Sequence, residues 1–124
     1  MRFLPLDTLL LICSGNVEIN PGPLSQPENT TLSIFSQNIR SIRNKMEYIR
    51  DNWLDYDILC FTETHLDNSI TDNNLQLDSF PLMYRIDDSC HSGGILIYVS
   101  GDIISKRLYI LESYLNLCMW VELK

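Results

Sequence analysis

The chain has 124 residues, of which 45% are hydrophobic and 20% are charged, and this composition is typical of a globular and not of a disordered chain. Its formal net charge of −7 argues against a free-standing DNA-binding module, because such modules present a basic face to the phosphates. An acidic balance is compatible with a metal-dependent phosphodiesterase, and equally with an ordinary acidic surface. The four cysteines contain no C-x-x-C pair, so we expect neither a zinc site nor a disulfide framework.

An apolar leader occupies the first 23 residues. A short apolar run at residues 9–12 precedes small residues, as in a signal peptide, but it is too short to span a bilayer. We expect residues 6–14 to be helical. Residues 24–31 are polar and contain proline, which is typical of a linker. The chain therefore divides into a leader (1–23), a linker (24–31) and a folded domain (32–124).

The folded domain begins with a pattern that predicts a βαβ unit. Residues 32–37 form a β-type run that ends at Asn38. Apolar residues at helical spacing across residues 42–53 predict an amphipathic helix. The apolar run at residues 58–61 predicts a buried strand. We therefore expect two parallel strands joined by a helix, and an α/β fold class.

The second half of the chain predicts further strands. Residues 67–78 are polar and predict a loop with a short helical turn. The segments Leu82–Ile86 and Ile95–Val99 predict strands, and a last β-type run covers residues 117–123. We interpret Arg85 as a surface arginine.

Polar side chains follow both strands of the predicted βαβ unit. Asn38 lies at the end of the first strand, and Glu63 lies just beyond the second. A right-handed crossover brings both ends to one edge of the sheet, where ligands of open α/β sheets bind. Glutamate offers a hard oxygen ligand to Mg²⁺ or Mn²⁺, and asparagine can hold a phosphate oxygen. Both residue types are also common at strand ends as turn residues, so the pattern alone leaves both interpretations open.

Three segments of the folded domain carry a family resemblance: residues 33–40, 57–66 and 91–99. Together they resemble the opening of an endonuclease/exonuclease/phosphatase domain, in the apurinic-endonuclease-like branch found in non-LTR retrotransposons. The similarity covers residues 32–123. It implies a four-layer α/β sandwich. This chain would supply only the N-terminal half of that fold, which would therefore be incomplete.

The resemblance also implies roles for the two strand-end residues. By this resemblance, Asn38 would be the active-site asparagine near the scissile phosphate, and Glu63 would be the glutamate that binds Mg²⁺ or Mn²⁺. The complete protein would nick DNA in the nucleus and carry a reverse-transcriptase region downstream. The family's chemistry also needs an Asp-x-Asn motif and the histidine of a Ser-Asp-His motif. We assign neither motif after Glu63, so we expect a fragment that is inactive alone.

The end of the leader carries a second resemblance. Residues 15–23 are similar to the 2A-like ribosome-skipping peptides. The resemblance implies that the ribosome does not form the peptide bond between Gly22 and Pro23. Asn16 stands where those peptides have aspartate, which leaves the activity open.

Two other functions fit parts of the sequence. A phosphodiesterase of the same superfamily that acts on phospholipid or inositol phosphate fits the core motifs nearly as well. A non-catalytic secreted or interaction module fits the leader, read as a signal peptide, and the glycosylation sequon at Asn29. That second alternative would place the chain outside the cell and would leave Glu63 unexplained.

Overall fold

A computed structural model describes residues 9–14, 16–20, 31–112 and 118–124, with mixed α/β content that is mostly sheet. The predicted α/β class is confirmed at this coarse level. The described ranges contain one α-helix, α1 (Met46–Asn52), and two 3-10 turns, Asp72–Leu75 and Tyr109–Leu111. The strands are β1 (Leu9–Ser14), β2 (Asn16–Asn20), β3 (Ile34–Asn38), β4 (Ile58–Thr62), β5 (Leu82–Ile86), β6 (Ile95–Val99), β7 (Ser105–Arg107) and β8 (Met119–Leu123).

The predicted βαβ unit is confirmed. β3 and β4 are parallel neighbours, and Asn38 at the end of β3 lies opposite Thr62 at the end of β4. The helix between them is shorter than predicted at its N-terminal end. Ile42 is fully buried but precedes the helix, because residues 42–45 form a turn in which the Lys45 N–H donates to the Ile42 carbonyl at 3.0 Å. The apolar spacing across residues 42–53 was therefore correct for burial and wrong for helix length.

Two sheets organise the strands. The first has the order β3-β4-β6-β5, and the second has the order β2-β1-β8-β7. Strands β5 and β6 have the predicted bounds, whereas β7 was not predicted. β7 contains only Ser105, Lys106 and Arg107, and it becomes a strand by pairing with β8. The predicted start of β8 at residue 117 lies outside the described residues.

The leader forms strands where it is described. β1 pairs antiparallel with β2 and with β8, so the expected helix over residues 6–14 is wrong for residues 9–14. A sheet partner on each side overrides the helix propensity of leucine. The Gly22–Pro23 junction, the sequon at Asn29 and most of the linker lie outside the described residues. No helix in the described ranges has the length and apolar character that crossing a bilayer requires.

Buried residues cover both faces of the first sheet. All five residues of β4 and of β6 are buried, which explains why both strands read as unbroken apolar runs. One cluster lies on the α1 side, and the other joins this sheet to β8. The first includes Ile42, Ile49, Leu59, Phe61, Leu96 and Tyr98, and the second includes Ile58, Cys60, Ile97, Met119 and Val121. The end of β4, which precedes Glu63, therefore projects from a packed core.

Candidate functional site

The loops that leave β3 and β4 run side by side beyond the strands. The backbone N–H of Ser41 donates to the carbonyl of Glu63 at 2.9 Å, and Ile42 donates to the carbonyl of Thr64 at 3.0 Å. These bonds extend the pairing past the last ladder pair at Asn38. The structure therefore brings Asn38 and Glu63 to the same edge of the sheet, as the sequence predicts.

Both loops contain left-handed backbone at residues other than glycine. Within the described part of the chain, four such residues occur, all of them here: Arg40 (φ 47°), Ser41 (φ 77°), Glu63 (φ 54°) and His65 (φ 54°). A sparsely populated backbone conformation costs on the order of 1 kcal/mol or more and persists only where its surroundings enforce it. The hydrogen bonds between the two loops provide that enforcement. Such strain concentrates at functional sites, which makes this edge the leading candidate.

The carboxylate of Glu63 is held through one of its two oxygens. Oε2 accepts the backbone N–H of Gly93 at 2.9 Å and lies 3.0 Å from Nε2 of His65. The hydrogen bond from Gly93, and next that from His65, lower the pKa of Glu63 from its ordinary value of 4.5. An ionised carboxylate only accepts hydrogen bonds, so Nε2 of His65 carries a hydrogen. Oε1 has no hydrogen-bond partner among the described residues, and the side chain is 40% exposed.

The glycine pair before β6 lets two chain segments approach closely. Gly93 and Gly94 have φ of +68° and +100°, and a Cβ added to Gly94 would lie 2.1 Å from Oγ1 of Thr64. Thr64 itself is fully buried between Glu63 and His65. The glycines therefore give the Gly93 N–H access to Glu63, a role that the sequence did not reveal. A Gly-Gly pair directly before a strong strand was the available signal.

A network centred on Arg43 fixes the loop that carries His65. Nε of Arg43 donates to the backbone carbonyl of His65 at 3.0 Å, and Nη2 lies 3.1 Å from Oδ1 of Asp67. That carboxylate also accepts the hydroxyl and the backbone N–H of Ser69. Hydrogen bonds from Ser69, and then the ion pair with Arg43, lower the pKa of Asp67 to about 2. The loop after Glu63 is therefore anchored at its backbone and at a charged side chain.

Arg85 is not the surface arginine that the sequence suggested. Its side chain is only 15% exposed, and its guanidinium pairs with Asp87 at 2.8 Å and with Asp72 at 3.0 Å. It also donates to the backbone carbonyl of Asp67 at 2.7 Å. Strand β5 packs beside the loop at residues 67–72, so the guanidinium is used within the fold. Arg85 is therefore not available as a free cation for a phosphate.

One triplet that follows Glu63 has the form of the Asp-x-Asn motif, contrary to our assignment from the sequence. It consists of Asp72, Asn73 and Asn74, in the first 3-10 turn. Asp72 accepts from Arg85, and Oδ1 of Asn74 accepts the backbone N–H and the hydroxyl of Thr71 at 3.1 and 2.8 Å. The side chains of Asp72 and Asn74 thus anchor and cap this turn. The triplet therefore has a structural role here.

Asn38 completes the set of polar groups at this edge. Asn38 is exposed, and its side-chain amide makes no hydrogen bond to another described residue, although its backbone pairs with β4. The described residues contain no group of three or more histidine, cysteine, aspartate or glutamate side chains that could hold a metal ion. The Glu63 carboxylate and the exposed Asn38 amide offer oxygen donors at this edge, and Mg²⁺ in proteins is commonly bound by one or two carboxylates with water in its other positions.

A scan of protein-family models finds no match to this chain, and a search of curated proteins finds no similar sequence. The family resemblance of the three motif segments therefore bears on the function only as part of a proposal. The hydrogen bonds around Glu63 do not depend on that resemblance, because they follow from the packing of the loops after β3, after β4 and before β6.

Proposed function

We propose that residues 32–124 are the N-terminal half of a four-layer α/β sandwich of the endonuclease/exonuclease/phosphatase family. The complete domain would be the DNA-nicking endonuclease of a non-LTR retrotransposon. The observation that carries the proposal is the state of Glu63, which lies next to β3 at the end of β4. Its carboxylate has a lowered pKa, one oxygen bound by two donors and the other without a donor among the described residues, on a side chain that is 40% exposed.

The residues at this edge suit a cation and a phosphate. Oε1 of Glu63 would bind Mg²⁺ or Mn²⁺, and the exposed amide of Asn38 would hold a phosphate oxygen. The cation, when bound, supplies positive charge that stabilises the charge developing on the phosphoryl group. His65 and the Gly93 N–H hold the carboxylate in place, while Arg43 anchors the backbone of His65. We assign no general base within this chain, so we expect no cleavage by the chain alone.

We further propose DNA as the substrate of the complete protein, a nuclear site of action and a reverse-transcriptase region downstream. The net charge of −7 favours DNA contacts made mainly by other parts of that protein, since phosphate contacts need a basic surface.

The cation site can be tested on the chain as it stands. Mn²⁺ is paramagnetic and broadens the NMR signals of nearby amides, so the ¹⁵N-labelled full chain would be titrated with Mn²⁺. We expect selective broadening at Asn38, Glu63 and Gly93, and its loss in Glu63→Gln. Glu47→Gln, in the first turn of α1, is the matched control and should leave the broadening unchanged. Broadening that survives Glu63→Gln would refute the cation site.

Catalytic inactivity of the isolated chain has its own test. Purified chain and supercoiled plasmid would be incubated with Mg²⁺ or Mn²⁺, and nicked circles would be measured. We expect no nicking above the buffer background. Nicking that requires the metal and disappears in Glu63→Gln would show that the chain supplies its own base, contrary to our proposal.

For the leader, we propose descent from a 2A-like peptide with its break between Gly22 and Pro23. The support is the order of residues 15–23, and the departure at Asn16 bears on activity. Residues 6–23 would be placed between two reporters in a cell-free translation system. Separate products would show skipping, and only the fusion would show its loss. Asn16→Asp restores the aspartate of the 2A-like peptides and should raise the yield of separate products if the leader has this origin.

A further inference from the structure

The two oxygens of the Glu63 carboxylate have unequal surroundings. Oε2 accepts the Gly93 N–H at 2.9 Å and Nε2–H of His65 at 3.0 Å, whereas no described residue donates to Oε1. We propose that His65 is a specificity-determining residue that makes Glu63 a one-oxygen ligand and so favours Mg²⁺ over Ca²⁺. This inference rests on the proposed cation site at Glu63.

Two donors fill the acceptor capacity of Oε2. A carboxylate oxygen has two lone-pair positions in its plane, and both donors lie at ordinary hydrogen-bond distance. A cation that approached Oε2 would meet the positive ends of two N–H groups directed at the same lone pairs. Bidentate coordination, which needs Oε1 and Oε2 together, would therefore require one donor to leave.

Both donors are held in place by other bonds. The backbone N–H of His65 donates to the backbone carbonyl of Gly93 at 3.0 Å, so the two residues that bind Oε2 also bind each other. Nε of Arg43 donates to the His65 carbonyl at 3.0 Å, which fixes the other side of that residue. The His65 side chain is only 19% exposed, and the Gly93 donor is part of the backbone. These bonds fix the backbone of both residues, and the burial of the His65 side chain limits rotation of its imidazole away from Oε2.

Coordination through one oxygen discriminates between hard cations. Mg²⁺ takes six ligands at about 2.0–2.1 Å, keeps several waters and uses one or two carboxylates. Ca²⁺ takes six to eight oxygens at about 2.3–2.6 Å and often binds a carboxylate through both oxygens. With Oε2 blocked, Ca²⁺ loses a ligand that it can use, while Mg²⁺ loses nothing that it needs. The hydrogen bond from His65 thus lowers the relative affinity for Ca²⁺.

Competition experiments on the full chain test this inference. Mg²⁺ and Ca²⁺ would each be titrated against bound Mn²⁺ at constant neutral pH, and displacement would be measured as recovery of the Gly93 amide signal. The titrations would be run on the wild type and on three variants. His65→Phe keeps a ring without a donor. His65→Gly removes the side chain and suits the left-handed backbone, so a folding defect in one variant does not end the test. His65→Gln keeps an N–H donor near the position of Nε2 and is the matched control.

The expected readout is the ratio of the two dissociation constants. In His65→Phe and His65→Gly, the ratio should shift towards Ca²⁺ by about tenfold, the scale of losing a partner of a metal ligand. His65→Gln should keep the wild-type ratio. An unchanged ratio in both donor-free variants would overturn the inference and leave the cation site standing. Absence of Mn²⁺ binding at Glu63 in the wild type would instead overturn the site, and the inference with it.

Discussion

The backbone N–H of Gly93 and the side-chain carboxylate of Glu63 form a 2.9 Å hydrogen bond across 30 residues of sequence. The bond joins the loop that leaves β4 to the loop that enters β6, two antiparallel neighbours in the first sheet. The adjoining glycine, Gly94, faces buried Thr64 with no room for a side chain. The position of the candidate ligand therefore depends on a close approach between backbone segments.

Replacing Gly94 with alanine should destabilise the sheet edge at which the loops beside Glu63 and Gly93 meet. The new Cβ would lie 2.1 Å from Oγ1 of Thr64, and the φ of +100° is strained for any residue with a Cβ. Overpacking and backbone strain together predict a loss of roughly 2–4 kcal/mol in the free energy of unfolding. Urea denaturation followed by tryptophan fluorescence measures this loss.

Gly101→Ala is the matched control for that experiment. A Cβ at Gly101 would make ordinary contacts at 3.4 Å with the ring of Pro81, and its backbone is not left-handed. We expect a change within about 1 kcal/mol, because alanine also restricts the unfolded chain. Equal effects of the two substitutions would show that the approach of Gly94 to Thr64 is looser than the structure indicates.

The same hydrogen bonds should lower the pH at which Glu63 becomes protonated. The Gly93 N–H and His65 lower its pKa below the ordinary value of 4.5. A lowered carboxyl pKa contributes stability that is complete above the unfolded value and is lost as the pH falls through the folded value. We therefore expect the Glu63 carboxyl carbon to titrate below 4.5 by NMR, with the Gly93 amide shift following the same curve.

The control for this titration is a variant that cannot ionise. Glu63→Gln should remove the titration from the Gly93 amide and reduce the dependence of unfolding free energy on pH below 4.5, where Asp67 still contributes. A Gly93 amide that titrates unchanged in Glu63→Gln would mean that another carboxylate is responsible. A Glu63 carboxyl that titrates at or above 4.5 would contradict the bonding described here.

Sequence patterns predicted the parts of this fold that depend on local residue order. The unbroken apolar runs of β4 and β6 indicate strands buried on both faces, and strand ends locate Asn38 and Glu63. β7 could not be predicted, since its three polar residues form a strand only by pairing with β8. Similarly, β1 was expected to be helical, and one of its two partners, β8, lies near the other end of the described chain.

The environment of Glu63 was beyond prediction for a related reason. Two donors reach one carboxylate oxygen at a place where Glu63 and His65 both adopt left-handed backbone conformations. Neither residue type signals that conformation, and the other donor is a backbone N–H 30 residues away. Arg85 likewise looked solvent-exposed, since its partner Asp72 becomes a neighbour only after folding.

Arg43→Lys should loosen the loop that carries His65. The planar guanidinium reaches the His65 carbonyl and the Asp67 carboxylate at once, and a lysine ammonium cannot reproduce that fork. The Arg43 side chain is 28% exposed, so we expect a modest cost of about 1 kcal/mol in unfolding free energy. Faster amide exchange at Ser69 would localise the effect to the loop.

Arg50→Lys provides the comparison for Arg43. Arg50 makes one exposed hydrogen bond, 3.2 Å to the carbonyl of Gln76. Its replacement should change stability by no more than about 0.5 kcal/mol. If both substitutions cost the same, the contacts of Arg43 would add nothing beyond those of an exposed arginine.

The pairing of β1 with β8 predicts which amides the leader protects. Trp120 donates its N–H to Glu112 and accepts from Leu108 at 2.8 Å, so its backbone faces away from β1. Backbone groups alternate sides along an antiparallel strand, so Met119 and Val121 face β1 instead. Prolines at two consecutive positions of β1 remove a donor on each of its sides.

In the double substitution Leu11→Pro with Ile12→Pro, amide exchange should therefore rise at Met119 and Val121 by at least about tenfold, the equivalent of one lost hydrogen bond. Trp120 should retain its protection, because its bonds lie on the β7 side of β8. Ser25→Pro, in the predicted linker, is the control and should alter none of the three amides. Equal acceleration at Trp120 would mean that β8 as a whole depends on the leader, whereas no acceleration anywhere would show that β1 does not pair with β8 in solution.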